Sequence, residues 1–189
     1  MVIDGNRIEA VSTAHAILSR GGVAVIPTDT IYGFSGLAPD TEKRIRALKG
    51  RGENKPFLML IADPDWISAW SDVPLPSALR SFWPGPLTLI FPGRAPGKTY
   101  AFRLPDHAFL IAVLQRIGRP VYSTSVNRAG EPFLWKIDDI IKRFESRVDL
   151  IVTAGDRPGS APSTMLDLST RPYTVVRQGE TVIPEKLLK

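Results

Sequence analysis

Cysteine is missing altogether from the 189 residues, and histidine occurs only twice, as His15 and His107. The first absence removes a disulfide scaffold, a thiolate metal site and a cysteine nucleophile. The second leaves no material for a multi-histidine metal centre. No apolar run approaches the roughly 18 residues that a membrane span needs. Asp4, Asn6, Arg7 and Glu9 break up any charged-then-apolar leader at the N-terminus. Internal repeats and low-complexity tracts are also lacking. The expectation from these exclusions is a soluble, cytoplasmic protein with no bound metal of its own.

What is present suits a packed domain. Hydrophobic residues make up 43% and charged residues 23%, which excludes disorder as the main state. The length fits one domain over residues 1–189, with enough chain to bury a core unaided. Seventeen prolines punctuate short elements and do not gather into a linker. The net charge of +5 is concentrated: Lys43, Arg44, Arg46, Lys49, Arg51 and Lys55 stand against only Glu42 and Glu53, so this segment supplies +4. A local positive field of that kind favours phosphates, in a nucleotide or in RNA.

Periodicity gives the elements. Ala10, Val11, Ala14, Ile17 and Leu18 form a helical stripe within residues 7–20, stopped by Gly21 and Gly22. Short β-branched or apolar runs predict strands at 23–26, 34–38, 57–61, 87–91, 100–104, 120–125, 150–152, 164–168 and 174–177. Helices are expected from a cap at Asp40 or Thr41 to Lys49, over 106–117, and around Ile137, Ile140, Ile141 and Phe144. Short helical segments are expected after Asp63-Pro64 and over 77–82, with Trp66, Trp70 and Trp83 in the core. Alternating strands and helices predict an α/β fold, a twisted sheet with helices packed on it. Only loops join the last strands, so part of the sheet is expected to be antiparallel, making it mixed.

Several strand ends carry polar chemistry. Pro27-Thr28-Asp29-Thr30-Ile31-Tyr32-Gly33 follows a buried strand, where open α/β sheets hold polar ligands, although a hydrogen-bonded turn would use the same residues. Lys49 and Arg51 stand two apart on a glycine-rich loop and could converge on a phosphate, or serve as a solvated helix end. No G-x-x-x-x-G-K-[ST] loop occurs. Arg103 ends a strand and could bind a carboxylate or pair with Asp106. Ser123, Thr124, Ser125 and Asn127 end another and offer many donors and acceptors. A serine nucleophile would need a base, and neither histidine has a supporting motif.

Taken in order, these pieces resemble the YrdC-like threonylcarbamoyl-AMP synthase family. The resemblance runs from Gly22 to Gly179 through PTDTIYG (27–33), KGR (49–51), NKPFLMLIAD (54–63), WPGPLTLIF (83–91), FRLP (102–105), STSVN (123–127), PSTMLD (162–167) and VVRQG (175–179). It implies the single-domain form of the fold, with a basic concave face. It implies a nucleotidyltransferase in tRNA modification, condensing L-threonine, bicarbonate and ATP, the nucleotide carrying Mg²⁺, into threonylcarbamoyl-AMP and pyrophosphate. Carried over by position, Thr30, Arg103, Ser123 and Ser163 would contact threonine. Lys49, Arg51, Lys55, Thr99, Ser125 and Arg177 would contact ATP, with Asn127 bracing that site. Possible further partners are tRNA and the proteins that transfer the threonylcarbamoyl group. Leu60 and Phe133 depart from the histidine and serine that many relatives carry there. Two other readings compete: an RNA-binding module using the basic face, and a paralogue acting on another carbamoyl-type substrate.

Overall fold

The computed structural model describes residues 1–52 and 56–189. Its strands are β1 (Val2–Asp4), β2 (Ala24–Ile26), β3 (Gly33–Leu37), β4 (Leu58–Leu60), β5 (Leu87–Pro92), β6 (Thr99–Arg103), β7 (Val121–Ser125), β8 (Leu150–Thr153), β9 (Thr164–Asp167) and β10 (Thr174–Arg177). The helices are α1 (Ala10–Ser19), α2 (Glu42–Lys49), α3 (Ala108–Ile117) and α4 (Ile137–Phe144). The strands form one mixed sheet in the order β1-β8-β2-β3-β7-β4-β6-β5-β9-β10.

The period of two in the strands divides the core between the two faces of this sheet. Ala24, Ile26, Leu37, Leu60 and Val121 join Ala14 and Leu18 of α1 and Leu110, Val113 and Leu114 of α3 on one face. Val23, Val25, Phe34, Met59, Phe102 and Tyr122 join Ile45 of α2 and Ile140 and Phe144 of α4 on the other. Burial at that scale is the main stabilising term, at about 25 cal/mol per Å² of apolar surface. The α1/α3 face is apolar only in part. Ser123 and Ser125 of β7, Gly33 and Ser35 of β3 and Arg103 of β6 continue it with small and polar residues by strand alternation.

Three local expectations need correction. Thr41 precedes α2 but makes no side-chain cap; its Oγ1 donates to the Leu37 carbonyl at 2.9 Å. The segments after Asp63 and over 77–82 are 3₁₀ turns, each six residues long. The Asp63 carboxylate caps the first by accepting from the Asp65 N–H at 2.8 Å. The sheet is mixed as expected: among the last strands β9 pairs antiparallel with β10 and parallel with β5, while β8 lies across the sheet, parallel to β1 and β2. β1 has no counterpart in the sequence expectation, because three residues are too few to show a period. Trp83 is core as expected, its Nε1 donating to the Leu87 carbonyl at 2.6 Å, while Trp66 and Trp70 are only partly buried against it.

Candidate active site

Where α1 and α3 stop covering the sheet, a cleft of about 260 Å³ opens. Seven of the expected site residues line it: Thr30, Arg51, Arg103, Ser123, Ser125, Ser163 and Arg177. They come from the β2–β3 loop, the end of α2, and strands β6, β7, β9 and β10 with their flanks.

The floor is ionic. Arg103 is 1% exposed, and its guanidinium lies 3.0 Å from the Asp29 carboxylate. Its Nη1 also donates to Thr30 Oγ1 at 3.1 Å. Asp29 is fixed in turn, its Oδ2 accepting from the Asp106 N–H at 3.1 Å. The partner of Arg103 is therefore Asp29, and Asp106 contributes only its backbone. Burial pulls the Arg103 pKa down, Asp29 opposes this, and the nearby charge of Arg177 adds to it. Arg103 Nε is buried without a hydrogen-bond partner among the described residues. In the adjoining loop the hydroxyls form a chain: Thr28 Oγ1 donates to the Ile31 carbonyl at 2.9 Å and lies 2.9 Å from Thr30 Oγ1.

The far wall is built on a close backbone approach. Arg177 donates from Nε and Nη2 to the Ser163 carbonyl at 3.0 and 2.8 Å, and from Nη2 to Ser163 Oγ at 3.2 Å. Ser163 Oγ also lies 2.7 Å from Thr88 Oγ1, a buried strand hydroxyl that sequence reasoning passed over. Gly179 closes this wall. A Cβ there would run into the Pro162 carbonyl and the Ser163–Thr164 peptide. Gly179→Ala is therefore expected to lose about 1–3 kcal/mol of stability, the usual range for overpacking. Gly52→Ala, where a Cβ meets nothing within 4 Å among the described residues, should be nearly neutral. Urea unfolding of both variants checks this.

The third wall comes from the end of α2. Gly50 terminates the helix with φ of 60°, a left-handed conformation that glycine adopts without strain, and so directs Arg51 to the cleft. Arg51 Nη2 donates to the Pro56 carbonyl at 3.1 Å, and its guanidinium sits 5.0 Å from the Phe57 ring centre.

Lys49 and Asn127 stand behind this surface, not on it. Lys49 is 3% exposed, and its Nζ donates to the Ser125 carbonyl at 2.6 Å and to Asn127 Oδ1 at 2.7 Å. Burial, with the charge of Arg51, lowers the Lys49 pKa to about 8. Thr99 does not line the cleft; it stands four positions before Arg103 along β6, about 13 Å of extended chain. Lys55 lies outside the described residues. The basic segment is also more divided than its sum suggests. Arg44 pairs with Asp149 at 2.6 Å, and Arg46 returns to Glu42 at 2.6 Å.

Neither histidine belongs to the cleft lining. His107 is half-buried nearby, and burial, then the charge of Arg157, pushes its pKa down. Tyr32 is a structural lining residue: its hydroxyl donates to the Gly155 carbonyl at 2.7 Å and accepts from the Ala154 N–H at 2.8 Å, tying the loop after β8 to the site. Among the described residues no group of three or more His, Cys, Asp or Glu could hold a metal ion, and no helix is long and apolar enough to cross a membrane.

A family model for Sua5, YciO and YrdC, described as "Telomere recombination", matches residues 16–179. A threonylcarbamoyl-AMP synthase of Bacillus subtilis (strain 168) is 30% identical over 186 residues, covering 89% of this chain and 53% of the relative. Another, of Pyrococcus abyssi, is 27% identical and is covered to 54%, so the chain spans about half the length of these curated relatives. The crystal structure of P. abyssi Sua5 complexed with L-threonine superposes with a TM-score of 0.85 at 26% identity, over 95% of this chain and 57% of that one. Escherichia coli YciO superposes at 0.81 with 28% identity, over 95% of this chain and 93% of that one.

Proposed function

Because the chain belongs to the Sua5–YciO–YrdC family, we propose that it forms threonylcarbamoyl-AMP from L-threonine, bicarbonate and Mg·ATP. The threonine amine bonds to the bicarbonate carbon, a water leaves, and the resulting carbamate oxygen attacks the α-phosphorus as the bond to pyrophosphate breaks. The observation that carries this reading is the cleft itself, which sets a buried Arg103–Asp29 pair and hydroxyls opposite two further arginines. Arg103, on the cleft floor, is the cation placed for a carboxylate, and Thr30, Ser123 and Ser163 offer partners to a hydroxyl. Arg51 and Arg177 supply positive charge for phosphates, where arginine's planar fork suits phosphate oxygens. A site of this kind works by positioning and by stabilising developing negative charge, and needs no covalent protein intermediate. Mg²⁺ enters as part of the nucleotide substrate. A role in tRNA modification, and any contact with tRNA, follow from the same reading.

Incubation with Mg·ATP, labelled bicarbonate and each amino acid tests it. A labelled adenylate with threonine and not with valine is the expected result; no adenylate with any amino acid refutes the proposal. A pocket that pairs a substrate hydroxyl strongly rejects the analogue lacking it. Arg51→Ala should weaken ATP binding by about ten- to a hundredfold, the value of charge-assisted hydrogen bonds, with little loss of stability. Calorimetric titration of folded variant and wild type measures it.

A further inference from the structure

A glutamate and an arginine four apart on an exposed helix face usually contribute little. Glu42 and Arg46 of α2 are placed differently. The Arg46 side chain is only 12% exposed. Its Nε and Nη2 donate to Glu42 Oε1 at 2.9 and 2.6 Å, and its Nη1 donates to the Gly52 carbonyl. The backbone of the same residue takes the other side: the Arg51 N–H donates to the Arg46 carbonyl at 3.1 Å. One arginine thus holds the peptide before Arg51 and the carbonyl after it. Glu42 is held in turn from the sheet. Its Oε2 accepts from the Tyr122 hydroxyl at 3.2 Å, and Tyr122 is buried in β7. Burial, then the charge of Glu42, pushes the Tyr122 pKa up, so this hydroxyl keeps its proton to donate.

The ring of Phe57 completes the unit. The guanidiniums of Arg46 and Arg51 lie 4.9 and 5.0 Å from its centre, and Tyr122 meets it edge-on at 5.6 Å. Two like charges on one ring repel, and the charge of Arg46 adds to burial in pulling the Arg51 pKa down. Glu42 supplies the countercharge that lets both share the ring. A planar fork can pair a carboxylate, reach a carbonyl and cover a ring together, which a lysine ammonium cannot. Arg51 lines the cleft, whereas Glu42, Arg46 and Tyr122 do not. Resting on the phosphate role given to Arg51 above, we propose that Arg46 and Glu42 are positioning residues for phosphate binding: they touch no ligand, and they hold Arg51 where its guanidinium meets the phosphates. Tyr122 anchors the pair to the sheet.

Equilibrium binding of Mg·ATP and, separately, of L-threonine to the whole chain tests this in Arg46→Lys and Glu42→Ala, each made alone and on Arg51→Ala. Arg46→Lys keeps the charge and loses the fork. It should bind ATP about fivefold more weakly than wild type, the value of one hydrogen bond, with threonine affinity unchanged. Glu42→Ala removes a negative charge, so a field effect alone would tighten ATP binding. Loss of positioning should instead weaken it, again about fivefold. On Arg51→Ala neither substitution should weaken ATP binding further, because the group they position is gone. Four results overturn the inference: wild-type ATP affinity in Arg46→Lys, unchanged or tighter binding in Glu42→Ala, a loss that persists undiminished on Arg51→Ala, or a parallel fall in threonine affinity. The last would mark general damage to the cleft. Failure of wild type to bind ATP at all would overturn the functional reading along with it, and is visible before any variant is made.

Discussion

Replacing Arg103 with methionine is expected to lower the unfolding free energy by about 3–5 kcal/mol, because a buried charge is left without its partner. The orphan is Asp29, whose side chain is 9% exposed and whose only remaining bond among the described residues would be the Asp106 N–H at 3.1 Å. Adenylate formation should vanish in the same variant. Stability loss alone could explain that, so the decisive comparison is with the double variant Asp29→Asn, Arg103→Met. Removing both charges typically returns a site of this kind to near-neutral stability, and an asparagine still offers an oxygen to Asp106. Urea unfolding should then recover most of the loss while the labelled-adenylate assay stays at background. Recovery of activity with recovery of stability would show that Arg103 only holds the fold together, and would remove the carboxylate role assigned to it.

The strand ends that carry this chemistry were legible in the sequence because each sits where an apolar run stops. PTDTIYG follows β2, FRLP ends β6 and STSVN ends β7, and all three contribute to the one cleft. Pairing across the sheet was not legible. Arg103 has an acid three residues away in Asp106, yet its partner is Asp29, brought there when the β2–β3 loop meets the turn after β6. Thr99 is the expected residue that strand geometry sets apart from the cleft. It is on the same strand and the same alternation as Arg103, but extended chain carries it to the other end of β6. Composition was least informative about the basic segment. Summed charge could not reveal that Arg44 and Arg46 are engaged by Asp149 and Glu42, or that Lys49 is buried. The strongest cations left at the cleft are three arginines from three separate elements, two of them far from that segment.

Lys49 converts that burial into a dependence on pH. Its pKa of about 8 lies below the ordinary 10.5 because burial, helped by the charge of Arg51, disfavours the ammonium. The sign follows from proton counting. Between about 8 and the unfolded value the unfolded chain holds the proton that the folded chain has lost. The burden of a buried ammonium is thus fully present below pH 8 and is relieved as pH rises. Function runs the other way. Above pH 8 the cleft loses a positive charge, and Asn127 Oδ1 and the Ser125 carbonyl lose the charge on the group that holds them. ATP affinity measured without amino acid should therefore fall about fivefold from pH 8 to 9 and about tenfold per unit beyond, as for any single group whose protonated form is required. Arginine stays charged across this range, so Lys49→Arg should flatten the profile even if its affinity at pH 7 is lower. Lys49→Met should be weak and flat throughout. An alkaline fall that persists unchanged in both variants would assign the titration to another group and leave Lys49 with a packing role only.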